Sequence, residues 1–132
     1  MMRQEFFNLE IKTNGQNLYE FTGKIHNWIK ENNFDNGIIN LSIQHTSASL
    51  IIQENADPDV QTDLINYFDK LVPMDNKLYI HTNEDRDDMP AHIKSALTNN
   101  QISLSIKNSS LYLEHGREFI FLSIELNPKT ER

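Results

Sequence analysis

Two polar islands interrupt apolar segments of this 132-residue chain, and both concentrate side chains that can move protons, hold an anion or bind a metal. The first is Gln44-His45-Thr46-Ser47-Ala48-Ser49, followed by Glu54-Asn55. The second is Asp87-Asp88-Met89-Pro90-Ala91-His92, with Lys94 just beyond it and His81 some way upstream. Imidazole is the side chain whose unperturbed charge change falls near neutral pH, so two histidine-bearing islands are worth treating as one candidate site. A carboxylate bonded to one ring nitrogen fixes the tautomer and leaves the other nitrogen for a metal, a proton or a phosphate. Asp88 and His92 have the four-residue spacing of one helical face if the helix includes Asp88. If it starts at Pro90, Asp88 stands just ahead of the ring. His45, His81 and His92 form an expected ligand set for a divalent ion, zinc or magnesium. Their spacing is not that of a compact motif such as His-Glu-x-x-His. The same residues also fit plainer roles: a His-Thr-Ser turn bonding its own backbone, Glu54 capping the next helix, and a capped helix start carrying a surface histidine.

These islands need stiff elements to position them. Gly37–Gln44 alternates, with Ile39, Leu41 and Ile43 on one side, and Ser49–Gln53 is a second apolar run; two strands joined through the first island are the simplest account. Asp57-Pro58-Asp59-Val60 opens a helix, with an acidic cap, proline in its first turn and further acid there. Val60, Leu64, Tyr67, Phe68 and Leu71 stripe that helix, and Pro73 follows its end. Phe21, Ile25, Trp28 and Ile29 repeat at helical spacing before the turn signal Asp35-Asn36-Gly37. Strands are expected at Phe6–Lys12, Leu78–His81, Gln101–Lys107, Leu111–Leu113 and Phe119–Ile124, with Asn108-Ser109 as a tight turn. Helices and strands intermix without a regular strand–helix–strand repeat. The class is therefore α+β: a curled, mainly antiparallel sheet with two or three packed helices.

Length and composition bound the rest. The chain suits a single domain, 1–132. No apolar run approaches the ~18 residues of a membrane span, and the start lacks the apolar stretch of a secretory signal, so a cytoplasmic setting without membrane association is expected. A net charge of -7 disfavours binding to nucleic acid, which needs basic patches. The absence of cysteine excludes disulfides, thiolate nucleophiles and thiolate metal sites. There is no G-x-S-x-G elbow, no G-x-x-x-x-G-K-[ST] phosphate loop and no G-x-G-x-x-G.

The segments Gln44–Leu50, Glu54–Val60 with Asp63, Leu71-Val72-Pro73, His81 and Asp87–Ser95 closely resemble the YjbQ-like family, small proteins some of which are named secondary thiamine-phosphate synthases. The match covers nearly the whole chain and keeps the family's order and spacing. The resemblance implies a meander sheet of half-barrel or sandwich-like form, assembly as a homotrimer, and a pocket near a subunit boundary. It carries over His45, Thr46, Ser47, Glu54, Asn55, His81, Asp88 and His92. One departure is local: relatives carry Leu-Gly-Thr-Trp-Gln near the C-terminus, where this chain reads Leu113-Glu114-His115-Gly116-Arg117-Glu118-Phe119.

The expected activity is that of an enzyme acting on a phosphorylated small molecule, with secondary thiamine-phosphate synthase as the best-named instance. His45, Glu54, Asp88 and His92 are the expected catalytic residues; Thr46, Ser47, Asn55 and Lys94 are the expected substrate contacts. A polyphosphate approaching so acidic a chain makes a divalent cation more necessary. The alternatives are a metal-dependent hydrolase and a non-catalytic module that captures a small anion.

Overall fold

The computed structural model describes residues 2–54, 57–83, 86–113, 117–123 and 129–131. Its elements run β1 (Ile11–Thr13), β2 (Asn17–Glu20), α1 (Thr22–Glu31), β3 (Gly37–Ser42), β4 (Ala48–Glu54), α2 (Pro58–Leu71), α3 (Asp88–Leu97), β5 (Gln101–Lys107), β6 (Ser110–Leu111), β7 (Arg117–Ser123) and β8 (Lys129–Glu131). All pairings are antiparallel, in the orders β1-β8, β2-β7-β4 and β3-β5-β6. The α+β class stands, with three helices and no closed barrel among the described residues.

Local chemistry explains the element ends. Helix α1 buries Thr22, Ile25 and Ile29 on one face. It ends where Asn33 adopts φ 56, and the Phe34 and Asn33 amides donate to the Ile29 and Lys30 carbonyls. That is the left-handed cap in which asparagine is the usual substitute for glycine. Helix α2 starts where the Asp57 carboxylate accepts the Asp59 amide at 2.9 Å, with Pro58 in the first turn. Asn108 and Ser109, at φ 53 and 63, make the two-residue turn whose twist suits a β5–β6 hairpin.

The two strands joined through the first island both form, each with a distant partner: β3 takes β5, and β4 takes β7. Asn99 and Asn100 stand against them, accepting the Leu50 and Ile43 amides. Two sequence expectations change. The opening strand is confined to Ile11–Thr13, where β8 supplies a partner. The segment around Leu78 forms a 3₁₀ turn at Asn76–Leu78, because the Asp75 carboxylate accepts the Lys77 amide at 3.0 Å and bends the backbone.

Strand β4 separates two cores. Ala48 and Leu50 face the larger one with Phe21, Ile25, Ile29, Ile39, Ile106 and Leu111. Ile51 faces the smaller one, where Leu18 and Ala91 meet Leu64 and Ile65 of α2. A strand apolar on both faces therefore suits a position between the sheet's interior and the α2/α3 layer. Each fully buried leucine or isoleucine there stabilises the fold by about 1.5–3 kcal/mol. Of the three described helices, α2 is the one with no fully buried residue, and its Tyr67 and Leu71 are more than half exposed.

Candidate functional site

Helix α3 begins at Asp88, not at Pro90, so Asp88 lies in its first turn and faces His92 one turn on. Pro90 is tolerated because a first-turn amide has no partner within the helix. The Asp88 carboxylate also sits at the helix end where negative charge is favoured. The preceding residue, Asp87, is buried, and its carbonyl accepts the Ala91 amide at 2.9 Å.

His81 reaches the same point from the loop before α3. That loop is tied back at two places: the Tyr79 hydroxyl donates to the Pro73 carbonyl at 2.7 Å, and the Arg86 guanidinium donates to the Met74 carbonyl at 2.9 Å. Burial, and secondarily the Asp75 carboxylate, hold the Tyr79 phenol above its usual pKa, so it stays a donor.

Three donors converge there. His81 Nε2–H donates to Asp88 Oδ2 at 2.8 Å, and His92 Nε2 stands 3.2 Å from that same oxygen. The rings are 5.7 Å apart at 64°. One ligand atom from each of the three residues lies within 4.8 Å of the others. In tetrahedral zinc sites neighbouring donors are about 3.3 Å apart, given metal–ligand distances near 2.0–2.1 Å. The His92–Asp88 separation already has that scale, and the His81–Asp88 separation is a little shorter. Nitrogen and carboxylate donors suit zinc better than magnesium. The side chains are 46 %, 21 % and 35 % exposed for His81, Asp88 and His92, which leaves outward positions for water or a substrate.

The remaining expected residues are distributed as follows. His45, expected as a metal ligand beside His81 and His92, is not in this donor group; Asp88 takes the third place. His45 instead receives at Nδ1 the Ser47 amide at 3.2 Å and has the Ser47 hydroxyl at 2.7 Å. Ser47 is 1 % exposed, whereas Thr46 is exposed. Lys94 is likewise 1 % exposed, and its ammonium donates to Asp69 Oδ1 at 2.8 Å, an oxygen that also accepts from Gln16. Glu54 ends β4, but its side chain, like all of Asn55, lies outside the described residues. So does Glu114-His115-Gly116 in the departing C-terminal stretch.

The two islands occupy joined elements. The Ser95 hydroxyl donates to the Ala48 carbonyl at 3.2 Å, Thr98 bonds the Ser49 hydroxyl, and the Leu50 amide donates to the Asn99 carbonyl. The start of β4 is thereby stitched to the end of α3. Asp69 went unnoticed in the sequence because nothing local marks a partner 25 positions from Lys94. A groove of about 550 Å³ lies elsewhere, between residues 3–9 and β3, walled by Phe7, Trp28 and Phe34. No metal-donor group lies in it among the described residues.

The family model described as UPF0047 protein YjbQ-like matches residues 7–132. A Synechocystis UPF0047 protein is 48 % identical over 111 residues, covering 84 % of this chain and 76 % of that protein. The YjbQ protein of Salmonella typhimurium is 43 % identical over 79 residues, 60 % of this chain and 56 % of that protein. The crystal structure of a conserved YjbQ/UPF0047-family protein from Clostridium acetobutylicum superposes with a TM-score of 0.82 at 25 % identity, covering 95 % of this chain and 97 % of that one. No helix of the described residues is long and apolar enough to cross a membrane.

Proposed function

We propose a function for this chain, which belongs to the UPF0047 YjbQ-like family: it is an enzyme that acts on a phosphorylated small molecule with a divalent cation held by His81, Asp88 and His92. The observation that carries the reading is the convergence of those three donors, from a tied-back loop and the first turn of α3, at a half-exposed position. When bound, such a cation supplies positive charge opposite phosphoryl oxygens, which a chain of net charge -7 otherwise lacks. The expected cationic contact, Lys94, is occupied with Asp69, which adds weight to that need.

The residues of the chain then divide the work. Asp88 Oδ2 stands within 2.8 and 3.2 Å of the two imidazole nitrogens and is the third donor of the group. Thr46 offers an exposed hydroxyl to the phosphate, and the His45–Ser47 pair lies beside it. Thiamine-phosphate synthesis, in which a thiazole nitrogen displaces pyrophosphate from a hydroxymethylpyrimidine diphosphate, is the named candidate reaction. The outward-facing positions of the donor group equally suit a metal-dependent hydrolase. We place the protein in the cytoplasm as a homotrimer. The exposed Tyr67, Leu71, Leu78 and Ile80 are apolar groups that such an assembly could cover.

The test incubates the full chain with the two thiamine precursors, and separately with a panel of phosphomonoesters, each with zinc or magnesium. Release of pyrophosphate or phosphate that chelator abolishes is the expected result. Binding of a phosphorylated compound with no turnover under any cation would overturn the enzyme reading in favour of an anion-capturing module.

A further inference from the structure

The geometry points to a strap: residues 4–9 close onto the free edge of β3 as an added strand, and the groove beside them is the open position of this device. Strand β3 pairs with β5 along one edge. One step past the Ser42–Gln101 pair, the Ile43 amide donates to the Asn100 carbonyl. Alternate residues of an antiparallel strand aim their backbone groups at the same neighbour, so Ile39 and Leu41 face β5 as Ile43 does. Ile38, Asn40 and Ser42 then direct their N–H and C=O groups to the other side. Among the described residues no strand pairs with that edge. Residues 4–9 line the groove alongside it, and make no backbone hydrogen bond of their own among the described residues. An extended segment next to an open strand edge is the starting point of strand addition.

Both segments already present matching faces. Phe7 stacks on Trp28 with ring centroids 5.8 Å apart, and Leu9 and Ile11 pack against the larger core, whereas Phe6 is 88 % exposed. That is the two-residue alternation of a strand. Strand β3 alternates in the same way, with Ile39, Leu41 and Ile43 on the core and Ile38 80 % exposed. Closing therefore needs a sideways shift and no reversal of faces. The strap is held at both ends. The Arg3 guanidinium donates to the Asn32 carbonyl and lies 4.1 Å over the Phe34 ring, and Ile11 begins β1, already paired with β8. So short a tether keeps the strap at β3 at high effective concentration. On closing, β1 lengthens backwards and links β8 to the β3-β5-β6 sheet, and the apolar walls of the groove leave water. On opening, a space of about 550 Å³ beside Phe7, Trp28 and Phe34 becomes accessible, the size of a small-molecule pocket. The strap thus controls access to that groove.

Amide hydrogen exchange of the full chain, resolved by residue with NMR, tests the strap. An unbonded edge amide exchanges at the rate of an unstructured chain, and pairing slows it in proportion to the closed population. Ile38, Asn40 and Ser42 should exchange at least about tenfold more slowly than an unstructured chain. Glu5→Pro and Phe6→Pro divide the prediction, since both side chains are exposed and neighbouring strap residues point their N–H groups in opposite directions. The proline that removes an N–H facing β3 should cut the protection about fivefold, the scale of one neutral hydrogen bond. The other should leave it within about twofold, as proline does where the N–H faces away from the partner. Exchange at Ile39 and Leu41, which face β5, should be alike in all three proteins and shows that each is folded. Unstructured-chain rates at the three edge amides of the parent, or an equal response to both prolines, would overturn the strap. Protection that falls on diluting the protein would also overturn it, assigning the edge to the same segment of a second copy.

Discussion

Replacing Asp88 by asparagine tests the candidate metal centre most directly. Both imidazole nitrogens approach Asp88 Oδ2, at 2.8 and 3.2 Å, so that oxygen is the point on which the donor triangle is built. Asparagine keeps the shape and removes the charge. Loss of a residue that merely orients a metal ligand lowers affinity about 10–100-fold. Loss of a ligand should reach at least about 100-fold. Zinc at a hundred times its dissociation constant stabilises a native state by about 2.7 kcal/mol. A 132-residue chain melts with an entropy on the order of 0.28 kcal/mol/K. The parent protein should therefore gain about 10 °C in Tm, whereas Asp88→Asn at the same zinc concentration should gain about 1–2 °C. Without metal the two should melt within about 4 °C, since exposed ion pairs contribute under about 1 kcal/mol. Scanning calorimetry of chelator-treated protein, with and without zinc chloride, reads both numbers. An equal gain in the two proteins, or no gain in the parent, would refute the assignment.

Two further outcomes follow from groups around the site. Asp69→Ala strands the buried Lys94 ammonium and should cost about 2–3 kcal/mol in urea unfolding, below the usual range for a broken buried pair because Asp69 is 44 % exposed; Lys94→Met, which removes the charge and keeps the volume, should cost under about 1 kcal/mol. The Tyr79 phenol has its pKa raised in the folded state, so its contribution is complete below the unfolded value near 10 and disappears as pH rises through the higher folded value. Stability measured by denaturant at successive pH values should fall above pH 10, and Tyr79→Phe should flatten that fall while costing about 1 kcal/mol at neutral pH through the lost bond to Pro73.

Features decided within a few residues were legible before any coordinates. The Asp57 cap, the Asn108-Ser109 turn and the apolar face of α1 each depend on local geometry, and each formed as expected. So did the four-residue relation of Asp88 and His92, once the helix proved to include Asp88. What escaped was the choice among distant partners. Gly37–Gln44 and Ser49–Gln53 read as two strands, but nothing near them names their partners, which lie far along the chain. The approach of His81 to Asp88 depends on a loop pinned by Tyr79 and Arg86, for which no periodicity exists. The engagement of Lys94 with Asp69 depends on how α2 and α3 pack together. The sequence named the chemically capable residues; their grouping required the tertiary structure.

The placement of β7 between β2 and β4 has a kinetic consequence. Residues 17–20 and 48–54 are brought into one sheet only through a strand spanning 117–123, so a growing polypeptide carries two unsatisfied strand edges until nearly all of it has been made. Closure over such long sequence separations is slow, and open edges are sticky while they wait. Acquisition of the native state should thus be a late, all-at-once event, with chains that stop short of residue 117 prone to clump instead of forming a stable sub-structure.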